Sequence, residues 1–294
     1  MQNLKAQGLY GPNLPATAML HLATLKDMQH LVVKDCGMGG DKAEAGNVVR
    51  SVLLNSASTL RSLEIRSNSW KLDFLCDWDK IASENGTFLR QKHDLTALES
   101  FTISGYSFDP HFIKLLDRAI DLMALSELSV GRLERNKSLL FDHLTDLSTS
   151  LQTAGMPIGL QKLQLAMWDG RSTEDHDATA ARIRFVSSFN TLSSLEIAGY
   201  NQYPAEITTN PGLPKVMLQA ILNHKNLKNL RISYNGLLSG LKVPYLSAAT
   251  VKTIVDSLDQ LEYFEFAPQE SEIVCRNINS CCLEYRMSLL KRYP

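Results

Sequence analysis

Residues 60–65 read Leu-Arg-Ser-Leu-Glu-Ile, and residues 192–197 read Leu-Ser-Ser-Leu-Glu-Ile. Both are instances of Leu-x-x-apolar-x-apolar, a six-residue core that recurs along nearly the whole chain. The other members are Leu98–Phe101–Ile103, Leu125–Leu128–Val130, Leu160–Leu163–Leu165, Leu227–Leu230–Ile232 and Leu261–Phe264–Phe266, with a weaker opening one at Met28–Leu31–Val33. At 44% apolar residues, a match of any three apolar residues at this spacing arises by accident with a probability of about 0.09, or roughly 25 times over the chain. A single match therefore carries nothing, and the spacing carries the inference. Successive leading leucines lie 38, 27, 35, 32, 35 and 34 residues apart.

Each gap holds one stretch with the 3.6-residue period of an amphipathic helix. The predicted helices are Asp41–Ala57, Asp109–Leu122, Leu139–Leu151, Ala180–Phe189, Leu213–Asn223 and Ser247–Leu258. Asp109 before Pro110, and Ser247 at the head of its stretch, are N-terminal signals. A unit of short strand, loop and helix cannot bury both an apolar strand face and an apolar helix stripe by itself; stacked on its neighbours it can. The expected fold is α/β. Parallel strands pair side by side, and because helices are wider than strands are apart, the stack bends with strands on the concave side and helices on the convex side.

These residues resemble the leucine-rich-repeat family, whose consensus continues L-x-x-L-x-L-x-x-N/C-x-L. Asn68, Asn235 and Cys36 stand three residues beyond Ile65, Ile232 and Val33. In the family such residues turn inward and hydrogen-bond the descending loops. Elsewhere the pattern departs: Tyr106, Trp168 and Tyr200 occupy that place, followed by Ser107, Asp169 and Asn201. The resemblance covers roughly residues 14–267 and implies one solenoid domain, a horseshoe of about eight irregular repeats over 1–294, with a C-terminal cap at 268–294. Irregular repeats of this length look most like the C-terminal part of fungal F-box proteins. There an F-box docks a cullin-type ubiquitin ligase and the repeats hold the substrate. No F-box-like Leu-Pro-x-Glu segment opens this chain, so a fragment or a repeat-only relative is expected.

The strand period assigns the binding face. With Leu63 and Ile65 inward, Ser62, Glu64 and Arg66 face the other way. The same register gives a polar, weakly acidic central column of Val32, Glu64, Thr102, Ser129, Gln164, Glu196, Arg231 and Glu265. Tyr106, Trp168, Tyr200 and Tyr234 lie just beyond the strands. They are interface anchors if exposed, and loop filling if buried. Two regions break the rhythm. In 69–94, Trp70, Phe74 and Trp78 form either a partner-binding lid or the stripe of that repeat's own helix. The Pro-bearing stretch Tyr200–Leu213 reads as an extended loop over one rim, either a binding loop or a long connection of no function. Cys275–Tyr293 is expected to form a capping helix over the open end.

Several function classes are excluded at this level. Thirty basic residues against 31 acidic ones give a net charge of -1, without the field that non-specific nucleic-acid binding needs. No apolar run approaches a membrane span, and Met1–Tyr10 lacks a secretory pattern. A cytoplasmic or nuclear location is expected. The five scattered cysteines read as reduced thiols. The paired Cys281 and Cys282 lack further ligands, so no metal and no other cofactor is expected. Glu174-Asp-His-Asp177 reads as the solvated acidic start of a helix. The seven histidines show no H-E-x-x-H spacing, and Gly37-Met-Gly-Gly40 lacks the Lys-Ser/Thr of a phosphate cradle. Neither an enzyme nor a catalytic residue is expected. The expected role is a monomeric protein-interaction module, in the finer form the substrate-recognition part of an F-box-type adaptor. The alternatives are a repeat-type GTPase regulator, for which Arg171 is a poor catalytic arginine, and a plain scaffold.

Overall fold

The computed structural model describes residues 21, 23–34, 49, 51–66, 95–106, 108–133, 136–166, 173–198, 213–233, 246–266 and 285–288. The chain gathers into two compact units, Met1–His143 and Leu144–Pro294. In the first, strands β1 (His30–Lys34), β2 (Ser62–Arg66), β3 (Ser100–Ser104) and β4 (Glu127–Val130) pair in parallel and in chain order. Residues 51–55 end a helix ahead of β2, and α1 (Pro110–Ala119) joins β3 to β4. Helix α2 (Lys137–Thr153) follows β4.

The second unit repeats the alternation with β5 (Lys162–Ala166), α3 (Thr173–Ser187), β6 (Ser194–Ala198), α4 (Lys215–Leu222), β7 (Asn229–Ser233), α5 (Ala248–Ser257) and β8 (Tyr263–Phe266). Strands β5 to β8 are parallel and in chain order. α3 packs on α4 and α4 on α5, so helices as well as strands stack from one repeat to the next.

The six-residue core fixes the register. Leu31, Leu63, Phe101 and Leu128 form one row across β1–β4, and Val33, Ile65, Ile103 and Val130 form another. In the second unit the rows are Leu163, Leu195, Leu230 and Phe264, then Leu165, Ile197 and Ile232. All are buried, and the leading Leu60, Leu125, Leu160, Leu192 and Leu227 are fully so. Slipping any strand by one residue would move its apolar pair to the opposite face, which is why the pairing is unambiguous.

One backbone device recurs just after six of the leading residues. The Gln29 carbonyl accepts the N–H groups of both Arg61 and Ser62, at 2.8 and 3.0 Å. Arg61 then accepts from Glu99 and Ser100, and Glu99 from Ser126 and Glu127. In the second unit Gln161, Ser193 and Lys228 do the same for Ser193–Ser194, Lys228–Asn229 and Glu262–Tyr263. Within each unit, forked acceptance of this kind ties neighbouring repeats where the strand begins.

Helix ends follow their sequence signals. Asp109 caps α1, its carboxylate accepting from the Phe112 N–H at 2.7 Å, with Pro110 as first residue. Ser247 caps α5 through the Thr250 N–H at 3.2 Å. α2 closes on Gly155 at φ +68°, where Gly155 N–H bonds Gln152 O and Met156 N–H bonds Leu151 O. That pair is the Schellman closure, and it needs a residue that tolerates the left-handed region. α3 starts seven residues before its predicted span, because its polar first turn, Thr173 to Asp177, gives the periodicity no apolar positions.

At the C-terminal end the structure corrects the expected helix. β9 (Tyr285–Ser288) is a strand antiparallel to β8, pairing Tyr263 with Ser288 and Phe266 with Tyr285. It satisfies the edge that β8 would otherwise present unpaired. The inserted 69–94 segment, residues 199–212, the family-type positions Asn68, Asn235 and Cys36, and Cys281 with Cys282 lie outside the described residues. Among the described residues no helix is long and apolar enough to cross a membrane.

Candidate interaction face

Parallel strands covered on both faces read as continuous apolar runs. Most of the strands here alternate instead. β2 and β3 bury every second residue and leave the others half-buried or exposed, and β5 alternates exposed with buried over its first four residues. One face of each sheet is core, while the other retains access to water.

The column read from the sequence lies on that second face, in register. Val32, Glu64, Thr102 and Ser129 align across β1–β4. Gln164, Glu196, Arg231 and Glu265 align across β5–β8. Gln164 is exposed, and Val32, Glu64, Thr102, Glu196 and Arg231 are half-buried. The last member of each row is different. Ser129, the shortest side chain of its row, is 9% exposed, and Glu265 is 4% exposed. Neither presents a contact surface; both belong to the support of the face.

Glu265 is covered because its neighbours hydrogen-bond over it. Arg231 Nε donates to Glu265 Oε1 at 3.0 Å, and the Tyr263 hydroxyl donates to Glu265 Oε2. Arg231 Nη1 reaches Glu196 Oε1 at 3.4 Å. Burial works to lower the Arg231 pKa, but the charges of Glu196 and Glu265 outweigh it and hold the guanidinium above its ordinary value. Across β6–β8 two carboxylates flank one guanidinium, and Arg286 of β9 stands at the register position of Glu265. In the first unit, Arg66 Nε lies 2.8 Å from Glu64 Oε1, two residues along the same strand and on the same face.

Of the aromatics beyond the strands, Tyr106 is described, and it is buried. Its ring stacks on Phe112 with centroids 6.3 Å apart and planes 7° from parallel, and its backbone bridges to Leu133. It fills loop space and is not an exposed anchor. Trp168, Tyr200 and Tyr234 lie outside the described residues.

Two histidines contact neighbouring elements. His224 is fully buried, its Nε2 3.1 Å from Val186 O and its Nδ1 3.4 Å from the Leu192 N–H. His143 Nε2 lies 3.4 Å from Asp117 Oδ1 between α2 and α1. Among the described residues no three His, Cys, Asp or Glu side chains gather into a metal-holding group. No protein-family model matches the chain, and no curated protein matches it. The registered rows therefore bear the weight of the functional reading.

Proposed function

We propose that the chain is a leucine-rich-repeat-type protein-interaction module that binds a protein partner across the half-exposed polar face of its sheets. The observation that carries this reading is the register itself. A row of polar side chains stands at fixed spacing on a face that the strand alternation leaves unburied. Strands held on both sides lose little freedom on binding, and Arg231 is already fixed by two carboxylates. The ordering cost of association is correspondingly low. The resemblance to fungal F-box repeats supports the finer reading, in which the bound protein is a substrate presented to a ubiquitin ligase.

Affinity purification of the tagged chain tests the surface. Gln164→Arg and Glu196→Arg each add positive charge to the row, and both are expected to lose partners that the wild type retains, with an unchanged circular-dichroism spectrum. An identical partner set from wild type and both variants would refute the proposed face. The ligase reading adds that a captured partner becomes longer-lived when the gene is deleted; an unaltered half-life would remove that reading and leave the interaction surface standing.

A further inference from the structure

The helices of the second unit leave an open apolar groove of about 580 Å³ between α2, α3 and α4. That size falls in the ~300–1,000 Å³ range of sites that seat a ligand. Val216, in the first turn of α4, is 61% exposed, although the same helix turns Met217, Ala220 and Ile221 into the core. Across the groove stands the half-buried Ile183 of α3. Among the described residues that line it, the formal charges are both positive, Arg184 and Lys215, both exposed, and none is a carboxylate. Thr145, Ser187, Ser188 and Gln219 complete the polar margin.

We propose that this groove docks an acidic amphipathic helix of a partner protein. Leucine-sized side chains seat between Ile183 and Val216, and carboxylates meet Arg184 and Lys215. A groove between packed helices suits the helix-in-groove mode, in which residues three and four apart serve as anchors. The charge of the lining selects the partner: a basic helix would bring like charge to both cations, whereas an acidic one gains attraction at each. A second copy of this chain is a poor occupant through its described helices. The acidic start of α3 leads into a stripe, Ala178, Ala181 and Phe185, that its own core already buries. This surface is independent of the polar sheet rows, so with both occupied the chain would join two proteins.

Fluorescence polarisation on the full chain tests this with two labelled peptides of about 15 residues, long enough to hold a helix. One carries Leu at three- and four-residue spacing with Glu elsewhere; the other carries Lys in place of each Glu. The acidic peptide is expected to bind at least about tenfold more tightly than the basic one. Val216→Asp and the double variant Arg184→Glu/Lys215→Glu are each expected to weaken it by about tenfold or more, while Gln164→Arg leaves it unchanged. These substitutions sit on exposed positions, and circular dichroism confirms that the variants fold. Absence of saturable binding up to about 1 mM, equal binding of the two peptides, or binding that survives both groove variants would overturn the proposal.

Discussion

The backbone N–H of Leu192 is accepted by the Nδ1 of His224, a residue of the next repeat, at 3.4 Å. Because Nδ1 accepts, the ring proton is on Nε2, which donates to Val186 O at 3.1 Å. The ring also packs edge-on against Phe189, with centroids 5.3 Å apart. Burial pulls its pKa from 6.5 down to about 4, against the pull of its bonds to backbone carbonyls. A neutral imidazole thus does what an amide or hydroxyl does in a regular ladder: it satisfies a backbone donor between two repeats.

The sign of the pH dependence follows. The unfolded chain protonates His224 near 6.5, whereas the folded chain resists until about 4. Between those values the unfolded state binds more protons, so stability falls as pH falls; above that window neither state is charged and His224 contributes no slope. The whole loss comes to about 3 kcal/mol. Urea unfolding of the wild type is expected to show a lower midpoint at pH 5 than at pH 7.5. In His224→Gln the part of this decline that lies above pH 5 should flatten. An unchanged slope in that variant would assign the decline to other groups.

Two threonines play matching roles just before a leading leucine. Thr59 Oγ1 donates to Met28 O at 3.0 Å, and Thr191 Oγ1 donates to Leu160 O at 2.6 Å. Each ties its repeat to the carbonyl of the preceding leading residue. Valine in either place keeps the volume and removes the donor, leaving a carbonyl short of a partner. Thr59→Val and Thr191→Val should each cost about 1 kcal/mol in denaturant titrations, with Thr→Ser recovering most of it. No loss in either variant would mean that water replaces the bond.

Much of this architecture was legible because it is written in period and spacing. The apolar core positions foretold the register rows, Asp109 and Ser247 foretold two helix starts, and the polar column fell out of strand alternation. What stayed hidden depends on three-dimensional partners. His224 looked like any other histidine, since its acceptor role exists only once Leu192 lies beside it. Ser56, which accepts the Met28 N–H at 3.1 Å, was equally silent. A signal did exist: residues 56–65 and 188–197 share Ser-x-x-Thr-Leu-x-Ser-Leu-Glu-Ile, and the repeated Ser and Thr mark the hydroxyls at the repeat junctions. The burial of Tyr106 depended on Phe112 coming to stack on it. β9 escaped because four residues pairing antiparallel with an edge leave no helical or repeat period to read.

Gly131 sits where the chain leaves β4 and crosses its neighbour. A Cβ there would lie 2.5 Å from Ser104 Oγ and 2.6 Å from its Cβ. Gly131 N–H donates to Ile103 O at 2.8 Å, so the backbone cannot back away without losing that bond. Gly131→Ala is expected to destabilise by about 1–3 kcal/mol. Adding Ser104→Gly should return part of it, because the clash is with that side chain. Full stability of Gly131→Ala, read by thermal or urea unfolding, would show that β3 and β4 separate at this point.

The Glu196–Arg231–Glu265 row separates support from surface. Glu265 is almost wholly buried, while the Arg231 side chain keeps 40% exposure and Glu196 27%. Removing the guanidinium leaves an uncompensated buried carboxylate, so Arg231→Met should cost about 2–3 kcal/mol, discounted from the fully buried case for solvent at Arg231. Glu196→Gln, at the longer contact and the wetter end, should cost no more than about 1 kcal/mol. Arg231→Met/Glu265→Leu removes both the cation and the charge it supports, and is expected to be more stable than Arg231→Met alone. A double-mutant cycle measured by urea unfolding decides the matter. Strong coupling at Glu265 with little at Glu196 leaves Glu196 free to meet a partner. The reverse result would make Glu196 the structural residue and move the contact surface away from this row.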